Sequence, residues 1–252
     1  MIFLETRTPT SAWIELGKIF FDYPGHPTFE ESIDYKLGDR RFVSLNNTIV
    51  IREWPKEFTG DGLFKAVGYS SKGYKMDKLR KTYVDEDKFQ HLIYNCRNIT
   101  YSDKFTSMGM NFNMSEFGKG GCLSSFHTIK TKHGWEIFVH GKIMEVPRKI
   151  VGDLRLIHSL LLELPIREWP VKVTLQLSAM YYSIVGLRSY IPILGKQNME
   201  MHGLPIDEPR NYQASIIKQI YNLGEELVEE YGQEIIRKGC LKEIDLITGE
   251  FK

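Results

Sequence analysis

The segment KIVGDLRLIHSLLLEL, residues 149–164, is apolar on nearly every side. A helix at a protein surface keeps one polar face, so a helix without one must be surrounded by protein. Its neighbours in sequence have the opposite texture. CLSSFHTIKT and WEIFVHGKIMEV before it, and VKVTLQLSAMYYSIVG after it, show the alternation or β-rich make-up of strands. A buried helix set between strands needs a sheet to lie on. The expected class is therefore α+β, a mixed or antiparallel sheet packed on helices with this one central and buried.

The rest of the chain fits around that centre. Trp13, Leu16, Ile19 and Phe20 recur at helical spacing after Thr10 and Ser11, predicting a helix capped by one of those two residues and stopped by Pro24, Gly25 and Pro27. TIVIREW, after Asn46-Asn47, reads as a strand ended by Pro55. Residues 56–82, rich in Gly, Lys and Tyr, read as irregular and exposed. DEDKFQHLIYN at 85–95 predicts a helix, with acidic residues first and Phe89, Leu92 and Ile93 on one side. RNITYS and GMNFNM read as strands, and the tail from Tyr212 to about residue 240 as one or two amphipathic helices. No linker-like stretch interrupts 1–252, so a single domain is expected. IREWP occurs at 51–55 and again at 166–170, but the flanks differ and no structural repeat is implied.

Composition narrows function by exclusion. Lys and Arg total 33 against 32 Asp and Glu, so no general nucleic-acid surface is expected, although a few local cations suffice for one small anion. Three cysteines without a CxxC pair make no disulfide framework and suggest a reduced, cytoplasmic setting. Glu5 comes too early for a secretory signal, and no apolar run reaches membrane-spanning length. The phosphate-loop, serine-hydrolase, zinc-protease and dinucleotide patterns are absent. The seven histidines lack metal-ligand spacing, His127, His133 and His140 reading as polar strand positions, so no metal is expected.

Cys122 stands apart. It follows Gly118-Lys119-Gly120-Gly121, a flexible approach to a strand instead of an apolar run. Counting from it, His127 lies at plus five, Lys142-Ile143 at plus twenty, Glu145 at plus twenty-three and Asp153 at plus thirty-one, where the apolar helix opens. In that register the chain resembles the thymidylate synthase and pyrimidine-nucleotide (deoxycytidylate) hydroxymethylase family. The family has a nucleophilic Cys followed at those offsets by Gln, Arg-Ser, Asp, and Asn or Asp. Arg97-Asn98 is similar to the family's double Arg, which comes from the dimer partner, and Ser178-Ala179-Met180-Tyr181-Tyr182 to its Ser-x-His-x-Tyr. The chain departs from the pattern with Lys142 for Arg, Ile143 for Ser and Met180 for His, and Cys122 lacks the preceding Pro and following His. Glu53 and Glu57 are the nearby candidates for the family's catalytic Glu, without matching register.

The resemblance implies a thymidylate-synthase-like fold and folate-dependent one-carbon transfer to C5 of a pyrimidine nucleotide monophosphate. Either hydroxymethylation or methylation is implied, with 5,10-methylenetetrahydrofolate as donor and a homodimer as the working form. A thiolate added at C6 makes C5 an enamine carbon, which splits one hard step into easier ones. Cys122 would be that nucleophile, with Lys142 and a partner-chain Arg97 holding phosphate and favouring the thiolate. Asp153 would accept from an exocyclic amino group and so select a cytidylate, or it N-caps the helix. Tyr182 would bind the sugar or is a strand aromatic. Glu145 would hold ligand or water or is a solvated carboxylate, and His127 is a substrate contact or interface filler. The alternative reading is a catalytically inactive nucleotide-binding or assembly protein of the same fold.

Overall fold

The computed structural model describes residues 1–22, 30–34, 39–66, 76–98, 106–112, 122–146 and 148–183. Strand β1 (Phe3–Thr6) leads into helix α1 (Pro9–Asp22), and β2 (Glu30–Asp34) into the long β3 (Asp39–Trp54). Three helices follow, α2 (Asp61–Ala66), α3 (Met76–Tyr83) and α4 (Glu86–Asn98), then β4 (Thr106–Asn111), β5 (Leu123–Thr131) and β6 (Gly134–Glu145). The apolar segment is helix α5 (Lys149–Glu163), and β7 (Val171–Ser183) completes the described chain. The tail expected at 212–240 lies outside the described residues.

The seven strands form one mixed sheet in the order β1-β3-β7-β6-β5-β4, with β2 beside the first half of β3. β3 runs antiparallel to β7, whereas β6 and β7 are parallel, which the intervening α5 crossover makes possible. Ile150, Val151, Leu154, Leu156, Ile157, Leu160 and Leu161 of α5 are all buried, as its sequence predicts. Burying each such side chain is worth roughly 1.5–3 kcal/mol, so this helix is the chief apolar anchor of the core.

Several local expectations need correcting. Helix α1 begins earlier than Thr10. Ser11 N–H donates to Thr8 Oγ1 at 3.2 Å and Thr8 N–H donates to Ser11 Oγ at 2.8 Å, a reciprocal cap that places Pro9 at the first helical position. Residues 56–82 contain α2 and α3. Of RNITYS, Arg97 and Asn98 end α4, and 99–102 lie outside the described residues. β1 was not expected, being only four residues long and docked in parallel on β3.

The sheet has a crease. In β3 the buried inward positions are Asn47, Ile49 and Ile51 on one side of Asn46, but Ser44 on the other. β7 changes from Val173, Leu175 and Leu177 to Met180 and Tyr182, and β6 from Ile137 and Val139 to Met144. The change falls on one row, because Asn47 pairs with Leu177 and Leu177 with Gly141, while Leu45, Ala179 and Ile143 align just beyond. Asn46 has a positive φ of 55°, and β5 carries an extra residue, Ser124, between Leu123 and Ser125. Lys142 and Ile143 therefore both turn outward, and Ile143 is 56% and Leu45 49% exposed.

Candidate functional site

Cys122 enters β5 beside the crease, and its backbone is tied down on both sides. Its carbonyl accepts from Lys142 N–H at 2.7 Å, and its own N–H donates to Tyr83 Oη at 2.9 Å. Gly141 makes room for this, since a Cβ there would lie 3.2 Å from the Cys122 carbonyl and 2.7 Å from Leu177 Cδ2. Tyr83 arrives on the last turn of α3. Arg80 of that helix bonds to Glu86 of α4 and to Glu163 of α5, so Tyr83 is presented by an element clamped on two sides.

Asp153 completes the centre. It lies in the second turn of α5, 3% exposed, not at the cap. The N-cap is Arg148, which makes no side-chain cap bond, so the capping role expected for Asp153 is not what the structure shows. Its Oδ2 is buried without a hydrogen-bond partner. Burial is the main cause that raises its carboxyl to about 7, opposed by the Tyr83 hydroxyl and the charge of Lys149. Few buried carboxylate oxygens in folded proteins lack a partner, which makes this one, among reactive groups, a candidate acceptor for a ligand donor.

The three groups share a single field. Burial, then the charge of Asp153, lifts the Cys122 thiol to about 11, while the Tyr83 hydroxyl and Lys149 pull it down and Glu145 adds a smaller upward push. Burial and both neighbours raise Tyr83 as well. A phenol has one proton to give, so Tyr83 donates to either the sulfur or the carboxylate at a time. Glu145, at the end of β6, is buried under Arg148, whose Nε and Nη2 donate to Oε1 at 3.0 and 2.9 Å. Lys149 Nζ lies 4.0 Å from Glu145 Oε2 and 3.5 Å from Tyr181 Oη.

Of the residues singled out in the sequence, the structure brings Cys122, Asp153 and Glu145 together. Lys142 meets Cys122 through its backbone amide, and its side chain is exposed. Arg97 is exposed in the last turn of α4. Tyr182 is elsewhere: it is fully buried, and its hydroxyl donates to the Leu16 carbonyl of α1 at 2.9 Å. The change of face at the crease sends Tyr182 inward and leaves its neighbour Tyr181 at the site, so the expectation of a sugar contact fails at this residue. His127 lies five residues along β5, between the inward Phe126 and Thr128 and so on the opposite face. There it packs edge-on against His140 with ring centroids 5.8 Å apart, over Gly109. Burial and then His140 lower its pKa. Glu53 pairs with Arg7 at 2.6 Å, away from the cluster.

Tyr83, Lys149 and Tyr181 were missed. Tyr83 comes directly after the Gly, Lys and Tyr-rich stretch, where only the acidic start of the next helix hints at order. Lys149 opens the apolar helix and carries one legible signal, its spacing of four from Asp153, which puts both on one helix face. Among the described residues no group of three or more His, Cys, Asp or Glu is placed to hold a metal ion, and no helix is long and apolar enough to cross a membrane.

No protein-family model matches the chain, and no curated protein does. Among solved structures, a thermostable thymidylate synthase A from Bacillus subtilis is similar at a TM-score of 0.39 and 6% identity, over 70% of this chain and 80% of that one. A likeness of that size does not extend to residues or activity.

Proposed function

We propose that the protein is a divergent thymidylate-synthase-like enzyme that adds a one-carbon unit to C5 of a pyrimidine nucleotide, by preference a cytidylate, through a covalent Cys122 adduct. The observation that carries this reading is the meeting of Cys122 with an unpartnered, buried Asp153 oxygen, thirty-one residues away in sequence, around one tyrosine hydroxyl. A carboxyl titrating near 7 suits a cytosine. Protonated, it donates to N3 and accepts from the N4 amino group, two bonds to one base edge.

The covalent step follows from the same contacts. The Cys122 thiolate forms a C–S bond at C6, and the ring electrons move to C5, which then bonds to the incoming carbon. In hydroxymethylation, loss of the C5 proton would expel the donor's nitrogen and leave an exocyclic methylene. Water would add to that carbon as the Cys122 thiolate leaves C6, restoring the C5–C6 double bond and freeing the enzyme. The one-carbon donor implied by the resemblance is 5,10-methylenetetrahydrofolate, which supplies an electrophilic carbon, with water completing hydroxymethylation. Glu145, held by Arg148 and Lys149, is a carboxylate at the rim for ligand or water.

The phosphate falls to the exposed cations Lys142 and Arg97, Arg97 reaching in from a second copy. Support for a homodimer lies on the sheet face opposite α5, where Leu45, Ala179 and Ile143 form a row across three strands with Ile143 more than half exposed. Ile143→Glu then converts dimer to monomer in light scattering. An unchanged mass overturns that part.

The deciding experiment is tritium release from [5-³H]dCMP or [5-³H]CMP with methylenetetrahydrofolate. Release by the wild type, abolished in Cys122→Ala, is expected. A second reading, a nucleotide-binding protein of the same fold without catalysis, is favoured by the thiol raised to about 11 and by Tyr182 being committed to the core. It is the result if no nucleotide gives release but one still raises the melting temperature. If no pyrimidine nucleotide shifts melting at millimolar concentration, both readings fail.

A further inference from the structure

We infer that Lys149 is the positioning residue that makes Cys122 reactive, a cation steered onto the thiol by Glu145 and Tyr181. The inference rests on Cys122 being the nucleophile, but not on the identity of any nucleotide. Lys149 opens α5, and Asp153 follows it by one helical turn, so the ammonium and the unpartnered carboxylate lie on one helix face. Two contacts hold it there, Tyr181 Oη at 3.5 Å and Glu145 Oε2 at 4.0 Å. Glu145 is in turn fixed by two bonds from Arg148, so the arrangement is anchored one layer deeper.

The charged and titratable groups around the thiol come from every side. Tyr83 is presented by α3, Asp153 and Lys149 by α5, and Glu145 by β6. Two of these, Asp153 and Glu145, oppose a thiolate, and Lys149 is the cation that favours it. Burial works against the lysine's own charge, but Tyr181, Glu145 and Cys122 outweigh it and raise Lys149 above the ordinary lysine value. Lys142, the cation expected from the sequence, turns outward at the crease and touches Cys122 only through its amide. Once Asp153 is neutral, by protonation or by pairing with a ligand, its repulsion disappears and the field of Lys149 acts with less opposition. The site thus couples occupation of the carboxyl to activation of the sulfur.

The test is alkylation of the full-length protein by iodoacetamide from about pH 6 to about pH 11, without nucleotide, with each cysteine followed in its own peptide by mass spectrometry. Lys149→Met is expected to move the Cys122 midpoint upward and to slow its labelling at about pH 8 by about threefold to tenfold. Lys149→Arg restores the wild-type profile within about twofold, and Lys132→Met, in the exposed turn between β5 and β6, leaves it unchanged. Buried Cys96 reports on folding, because it labels only when the chain opens. The inference is overturned if Lys149→Met keeps the wild-type profile, if Lys149→Arg slows as much as Lys149→Met, or if Lys132→Met is the variant that shifts it. None of these outcomes depends on tritium release, so failure here and failure of the nucleotide reading are separate results.

Discussion

Helix α5 carries a buried ionisable residue at each of two places, and the two are handled in opposite ways. His158 sits in an aromatic box. Trp54 Nε1 donates to its Nδ1 at 3.2 Å, and Phe58 and Trp169 stand edge-on to its ring at 5.4 and 6.4 Å. Burial and then Arg155 lower it to about 4, so it stays a neutral acceptor with its partner in place. Asp153, five residues earlier, is as deeply buried and has an oxygen with no partner. A satisfied buried polar group locks a core together, whereas an unsatisfied one costs stability, and function is the usual reason for keeping it. Both copies of IREWP lie at the first place, since Trp54 and Trp169 are their tryptophans. Their recurrence marks one aromatic box built from two connections, with no repeat behind it.

The largest effect belongs to the box. Trp54→Ala removes a fully buried ring and the donor to His158, and is expected to cost about 3–5 kcal/mol by urea denaturation. A loss below about 1 kcal/mol would show that the box is not structural. Next comes pH dependence, where the two residues pull in opposite directions. The folded Asp153 carboxyl holds its proton up to about 7 and the unfolded one only to the ordinary 3.8, so stability falls as pH rises through that window. The penalty is absent below the window and complete above it. Asp153→Asn is expected to gain about 1–3 kcal/mol at about pH 8 and little at about pH 4.

For His158 the sign reverses. The unfolded imidazole takes a proton below 6.5 and the folded one only near 4, so stability falls as pH drops through that interval. Asp153→Asn should therefore uncover a stability that rises between about pH 4.5 and about pH 6.5, and His158→Gln one that falls over the same range. Parallel slopes in the two variants would erase the contrast between the two places. The smallest effect is that of Tyr83→Phe, which leaves the Cys122 amide without its acceptor at a cost of about 1 kcal/mol. Its melting curve tests whether the site, like the box, contributes to holding the fold.

The legible parts of the molecule are those whose physics is local. α5 declared itself because an all-apolar helix has one possible environment, and α4 because acidic residues and an apolar side mark a start and a face. Cys122 stood out by its glycine-rich approach, and Glu145 and Asp153 only through the resemblance, whose offsets run along one uninterrupted stretch. Tyr83 was not, because nothing local ties residue 83 to residue 122; the pairing exists only once α3 is clamped by Arg80. The outward turn of Lys142 and the inward turn of Tyr182 were not legible, for a shared reason. Strand alternation predicts which way a side chain points only while the pleat is unbroken, and both residues lie at or beyond the crease.

That crease makes four separate strands a single unit of sequence change. Asn46, Ser178 and Lys142 occupy one line across β3, β7 and β6, and the extra residue Ser124 of β5 lies just beside it, between the rows of Gly141 and His140. Removing one residue on that line would put the rest of its strand out of phase with its neighbours, whatever the residue's own contacts are worth. Deleting Lys142 alone would shift Met144 opposite Ala179, turning it out of the core, and swing Glu145 off Arg148. Strand length at these positions is therefore a joint property of the sheet: shortening one strand there keeps the pleat in phase only if its neighbours are shortened too.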